Sequence, residues 1–534
     1  MPPLSFSATA VPLDYRLVLG LKAFLAASAA CLLWLSWREQ QTARALPLAS
    51  QRSVALALVG ILSLAAWWEF GRLHAGGGYL HLHEFYHYYL GAKYHGELGY
   101  SGLYRCTAIA DAEAGHSAEV EARWVRNLVT NSLEPGSTVV ADPDACKRHF
   151  SDARWQAFRA DIAWFRSNTH PKKWTELPSD HGFNASPVWT LAGSTLANLA
   201  PASKGAILSL SLLDPLLLVT MWGVAWWAFG WRAAVVGAVF WGTNYLGRYN
   251  WTGGAFLRAD WLFLMVTSVA LARRGWHRAS GFALAWSALL RVFPALLAVG
   301  LVLREGWDMW RRRSLRPSSE TMNFGTGFAL AVLLLMPLSN LAANGSLVDL
   351  RDWRAFAENS RKHLATPLNN SMGLKTVVSF DPRSRTAVLQ DLWLDSPWDT
   401  WKAARQRTFE SRRWLFGTLV VAFVALLAFA AATTEPWVAL VLGAGLVAVI
   451  SELTCYYYAF LAVYAFLWTR KPWVGVGLCV LALFTGLLTV PLEEADDTYM
   501  AASALVLLFI GAVTAAFARR PSNERAQSPT SAGT

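Results

Sequence analysis

The stretch Trp414–Ala432 reads WLFGTLVVAFVALLAFAAA and contains no charged side chain. A helix needs about 20 apolar residues to cross the ~30 Å hydrocarbon core of a bilayer, and this run alone has that length. Ile207–Phe229, Met322–Leu341 and Ala501–Phe517 repeat the pattern. Charged residues make up 16% of the chain, against roughly 25% in a soluble domain, so the runs belong to a chain depleted in charge throughout. Counted on the length rule, there are about eleven or twelve such segments. Lipid offers no hydrogen bonds, so backbone groups inside it must pair within their own segment, which helices achieve. The expected fold is therefore all-α, a polytopic membrane helical bundle. Trp34, Trp37, Trp67, Trp68, Trp307, Trp310, Trp437 and Trp468 stand near segment ends, as an interfacial aromatic belt requires.

The formal net charge is +11. The cations gather in short loops between apolar runs: Arg38, Arg44 and Arg52; Arg273, Arg274 and Arg278; Arg304, Arg311, Arg312, Arg313 and Arg316; Arg470 and Lys471; Arg519 and Arg520. Cytoplasmic loops carry such an excess, which explains the charge without a nucleic-acid partner. These loops are read as inside, and the acidic Glu493–Asp497 and the approach to Tyr456 as outside. The resulting order is membrane helices in 1–73, a large extracytoplasmic region in 74–187 and helices in 188–343. A second extracytoplasmic region in 344–413 follows, then helices in 414–518 and a Ser/Pro/Ala/Thr-rich cytoplasmic tail in 519–534, expected to be disordered. Ser186–Leu199 is too short and polar to span and is expected to lie in the outer face. Leu290-Arg291-Val292-Phe293-Pro294 interrupts an apolar run. Proline removes a helical hydrogen bond, which predicts a helical hairpin bent at 290–294. Cys31, Cys455 and Cys479 fall in apolar segments, whereas Cys106 and Cys146 lie in the first polar region and can pair there in an oxidising compartment.

Chemistry concentrates in His81-Leu82-His83-Glu84-Phe85-Tyr86-His87-Tyr88-Tyr89-Leu90-Gly91-Ala92-Lys93-Tyr94, directly after a span. On an α-helix His83, His87 and Tyr94 would share one face with Glu84 beside it. Polar residues at a membrane surface are costly unless they are used; the bland alternative is a belt of Tyr and His at headgroup level. His83-Glu84-Phe85-Tyr86-His87 also fits the H-E-x-x-H zinc pattern. That reading gives a zinc-dependent membrane metalloprotease or hydrolase, with His83 and His87 as ligands and a third to be found among His95, His116 and His149. A transporter of lipid-linked glycans is a third reading, but it would more often show paired repeats and broken helices at the midplane, and no repeat of fixed period is present.

The order of motifs resembles the C-type (GT-C) membrane glycosyltransferases, in particular the bacterial branch that uses polyprenyl-phosphate mannose. A span, Glu84, the Tyr-rich helix and the turn Gly96-Glu97-Leu98-Gly99-Tyr100 stand where that family has its first outer loop. Gly182–Trp189, Asn244–Asn250 with Arg258-Ala259-Asp260, Leu290–Pro294, Asn369–Leu374 and Cys455–Tyr458 follow in the family's order. The family's acid is usually Asp and the bend usually carries Lys; here they are Glu84 and Arg291. The resemblance implies inverting transfer of a hexose such as mannose from a polyprenyl-phosphate donor to a glycan, lipid or protein acceptor. It implies a bacterial inner (cytoplasmic) membrane, with the site facing the periplasm. Glu84 is then the catalytic base. Arg291 leads the candidates for the donor phosphate, because an Arg inside an apolar segment is a functional hypothesis by default; Arg258, Lys375 and His363 follow. His83, His87, Tyr88, Lys93, Asn370 and Asp260 are candidate substrate contacts. No cofactor is assigned, and a divalent cation is left open.

Overall fold

The computed structural model describes residues 13–42, 47–74, 78–391 and 397–519, so the expected disordered tail lies outside the described residues from 520 onward. Among the described residues the regular structure is almost all helical. Strands occur there as two short antiparallel pairs, Trp124–Arg126 with Leu133–Pro135 and Ser371–Met372 with Leu453–Thr454. Among the described residues, six helices are long and apolar enough to cross a membrane: Tyr15–Thr42, Ala49–Trp67, Lys204–Phe229, Ser319–Asn344, Arg413–Ala431 and Ala495–Ala518.

The length rule predicts about eleven or twelve segments; the other apolar runs form shorter helices, such as Trp473–Leu487, or are interrupted. Gly230, at φ 83°, ends one helix and opens Trp231–Thr243. Ala444 separates Pro436–Gly443 from Gly445–Ile450. Arg291 is extended, at φ −145° and ψ 115°, between His277–Leu290 and the 3₁₀ turn Phe293–Leu296.

Cys455–Thr469 is a 3₁₀ helix of 15 residues. At a rise of ~2.0 Å per residue it extends about 30 Å, the thickness of the hydrocarbon core, where an α-helix of the same length would reach only about 22 Å. Long 3₁₀ helices are rare, and this one is enclosed by protein: Phe460 through Leu467 are fully buried.

The chain breaks at Arg291, between His277–Leu290 and Phe293–Leu296. His277–Leu290 packs on Asp260–Arg273 and Ser319–Asn344, whereas the helix beyond the break, Leu297–Arg312, packs on Pro436–Gly443 and Arg413–Ala431. The two arms on either side of the extended Arg291 pack against different neighbours, while Arg273, just before the first arm, and Arg304, in the second, return to the same 434–435 loop. Small residues allow these contacts. A Cβ on Gly281 would stand 1.9 Å from the Phe324 carbonyl oxygen, and one on Gly327 1.8 Å from that of Arg278, the close backbone approach that small residues give to helices in lipid.

The two ends of the bundle differ in chemistry. Arg470, Arg273 and the Glu435 carboxylate form one ion-pair network, at 2.5 and 3.6 Å from Glu435, with Arg304 donating to the Thr434 carbonyl at 2.7 Å. Three of the basic loops therefore meet at one end. The two large polar regions meet elsewhere: His95 lies 3.2 Å from Asp352, Asn359 donates to the Phe183 carbonyl at 3.1 Å, and Asn131 donates to Thr366 at 3.1 Å. The acidic loop joins them, with Asp497 2.9 Å from Arg385. A Cys106–Cys146 disulfide closes the first polar region. Ser186 caps the helix Pro187–Ala197 by accepting the Trp189 N–H, and that helix packs against Ser319–Asn344 with Trp189 fully buried.

Candidate functional site

Where the polar regions meet the bundle there is a cavity of about 660 Å³, within the ~300–1,000 Å³ range of ligand sites. Five separated stretches line it, represented by Glu84, Asp180, Arg258, Asn370 and Tyr456. They are the motif segments that stand far apart in sequence, now side by side.

Glu84 sits in the α-helical turn Leu82–Phe85, which His81 caps by accepting the Glu84 N–H through Nδ1. The next five residues, Tyr86–Leu90, form a π-helical turn, a form often found at functional sites. A π turn widens the helix and shifts the face that each later residue presents. This is why Tyr94 does not join His83 and His87. Those two rings lie 4.7 Å apart, whereas Tyr94 is buried on the far side, donating to Asp161 at 2.8 Å.

The Glu84 carboxylate lies 3.0 Å from Nε of Arg258, with side chains 17% and 4% exposed. Arg258 is fixed from below. Its N–H and that of Ala259 both donate to the buried Asp214 carboxylate at 2.9 Å, and Leu257 before it adopts φ 49°, a strained conformation of the kind that clusters at ligand sites. The Arg258 guanidinium lies 4.4 Å from the Tyr88 ring and 5.6 Å from that of Tyr456. Arg291 approaches the same Tyr88 ring at 5.9 Å. Tyr88 therefore carries two guanidiniums within cation–π reach, and its hydroxyl donates to Asn184 at 2.5 Å. Nε and Nη1 of Arg258 and Nε and Nη2 of Arg291 are buried without a hydrogen-bond acceptor among the described residues, the Nε contact with Glu84 being an ion pair that lacks hydrogen-bond geometry. Buried N–H groups are usually satisfied, and these four gather around the Tyr88 ring at the edge of the cavity.

The expected partnership of Glu84 with Arg291 is thus taken by Arg258. Arg291 stands one layer behind, outside the cavity lining, near Asp260. Asp260 accepts the Trp261 N–H at 2.7 Å and is likewise off the cavity. Lys93 is committed elsewhere, 2.8 Å from Asp161 and donating to the Ala200 carbonyl. Lys375 pairs with Glu452 at 3.2 Å, beside the Arg405–Glu452 pair. His83, His87, Tyr88, His363 and Asn370 all line the cavity.

Six of the eleven His line the cavity: His74, His81, His83, His87, His181 and His363. Burial pushes His87, His181 and His363 down to about 4, so these three are neutral at pH 7. His83, His87 and Asp180 bring one ligand atom each within 4.8 Å of one another. The sequence offered His95, His116 and His149 as a third metal ligand. The first two pair with Asp352 and Glu119 instead, and the acid that stands beside His83 and His87 is Asp180. Asp180 carries no periodic or motif signal in the sequence. Asp214 carries one, an acid inside an apolar run.

No protein-family model matches the chain, and no curated protein and no solved structure matches it.

Proposed function

We propose that the chain is an integral membrane glycosyltransferase of the inverting, lipid-phosphate-dependent kind, working in the Glu84 cavity. The observation that carries this reading is the Glu84–Arg258 pair at 3.0 Å, beside buried guanidinium N–H groups that lack acceptors. A polyprenyl-phosphate sugar needs both halves. Its phosphate leaves with rising charge, which fixed cations stabilise, and Arg presents two N–H groups to phosphate oxygens. The acceptor hydroxyl must lose a proton as its oxygen attacks the anomeric carbon, and the Glu84 carboxylate takes it. The anomeric C–O bond breaks with its electrons going to the phosphate. Arg258 contacts that phosphate directly and Arg291 adds charge from behind Tyr88. Asp214 is a positioning residue, because it holds the backbone that aims Arg258.

The resemblance in motif order supports a polyprenyl carrier and a hexose. The Cys106–Cys146 disulfide supports a site facing an oxidising compartment, as the periplasmic side of an inner membrane would be. Against the zinc-hydrolase alternative, the Glu84 carboxylate is held by a guanidinium, whereas that mechanism needs it on a metal-bound water.

The test is incubation of the purified protein with radiolabelled polyprenyl-phosphate sugars and membrane acceptors. Label should pass to an acceptor, and Glu84→Gln should abolish this while the protein still folds. Near-normal turnover in that variant removes Glu84 as the base.

A further inference from the structure

We propose that His83, His87 and Asp180 form a site for a divalent transition-metal ion of the zinc class, on the cavity wall next to Glu84. Nε2 of His83 lies 3.4 Å from Oδ2 of Asp180. A tetrahedral ion with bonds of ~2.1 Å sets its ligands about 3.4 Å apart, so this edge of the polyhedron is already built. The third ligand atom, from His87, lies within 4.8 Å of both and needs only a small approach.

His87 is prepared for the task. Its Nδ1 lies 2.8 Å from the His83 carbonyl oxygen, so the proton sits on Nδ1 and the lone pair on Nε2. Metal-binding imidazoles are commonly oriented in this way by an outer hydrogen bond. The Nε2 lone pair accepts from the Tyr104 hydroxyl at 2.7 Å, and that hydroxyl accepts the Gly182 N–H at 2.9 Å. Metal binding exchanges the Tyr104 bond for a coordinate bond.

A satisfied core histidine would explain His87 alone. It does not explain why His83 and Asp180, 42% and 44% exposed toward the cavity, bring their ligand atoms to the same point from segments nearly a hundred residues apart. Two imidazoles and one carboxylate suit zinc, iron or cobalt better than magnesium or calcium. The coordination positions left over open into the cavity. On the transferase reading above, from which the role but not the binding follows, the ion takes an oxygen of the donor phosphate and adds charge stabilisation.

The experiment uses full-length protein in detergent, stripped with a chelator and titrated with Zn²⁺ and Co²⁺. Bound metal is counted by mass spectrometry and Co²⁺ is followed by its visible d–d bands. One ion per chain is expected, with the band intensity of a tetrahedral site. Asp180→Asn and the half-exposed His83→Gln should each weaken binding by more than the roughly 10–100-fold lost with an outer partner, while Glu84→Gln keeps the ion. Absence of stoichiometric binding, or equal binding by a folded His83→Gln variant, overturns the site. The two proposals fail separately: metal bound without sugar transfer sinks the transferase alone, and full transfer by metal-free protein sinks the metal's role alone.

Discussion

Replacing Arg258 with Met keeps most of the side chain's length and removes its charge. The Glu84 carboxylate then remains in a site where it is 17% exposed, with no guanidinium in contact. Breaking a buried pair from one side costs about 3–5 kcal/mol, and because Glu84 retains some access to water the lower end applies. The double variant Glu84→Gln/Arg258→Met has no charge left to strand, so most of that loss should return. Activity behaves differently, since loss of one preorganised contact to a developing charge lowers kcat by roughly 10²–10³, and the double variant should recover none of it. Unfolding in detergent and initial rates of label transfer measure the two effects on the same samples. A double variant no more stable than the Arg258→Met single, or one with restored turnover, would refute the pairing or its role.

Other features make independent demands. The disulfide closes a loop with a sequence separation of 40, worth about 4 kcal/mol in the chain-entropy picture. Reductant, or Cys106→Ala/Cys146→Ala, should lower the unfolding temperature, and an unchanged one would exclude the bond. Gly281→Leu should prevent the helix contact at Phe324, where even a Cβ would stand 1.9 Å from the carbonyl oxygen, and give little folded protein. Gly20→Ala, with nothing within 4 Å of the added carbon, should be tolerated, and equal yields would contradict the packing. For acid stability the sign is fixed by His87, His181 and His363, held near 4 in the fold against ~6.5 unfolded. The unfolded chain takes up protons first as pH falls, so stability is complete above about 6.5 and is lost progressively toward 4. Unfolding temperatures of chelator-treated protein at pH 7.5 and 5 should differ in that direction; if His363→Asn does not reduce the difference, His363 is not a contributor.

The long spans were legible because length and hydropathy are local properties: Met322–Leu341 and Ala501–Phe517 fall inside helices observed at Ser319–Asn344 and Ala495–Ala518. The break at Arg291 was legible for the same reason, since Pro294 acts on its own neighbours. What the broken chain packs against is a tertiary matter. In the site, the sequence singled out Glu84, Arg258 and Arg291 and set the acid against Arg291, whereas the structure sets it against Arg258 at 3.0 Å, a tertiary contact that no local pattern encodes. Lys93 and Lys375 read as free cations in sequence; each has its own acid, Asp161 and Glu452, from a distant segment. Tyr94 was misplaced by assuming α-helical spacing through a π turn, and Asp180 was invisible because nothing local distinguishes it from other loop acids.

The most direct test is a structure of the protein with a bound polyprenyl-phosphate sugar. The phosphate should lie against Nη1 of Arg258 and on the Tyr88 side of Arg291, with the anomeric carbon turned toward the Glu84 carboxylate. A lipid phosphate bound away from Arg258, or a sugar held where Glu84 cannot reach an incoming hydroxyl, would contradict the assignment.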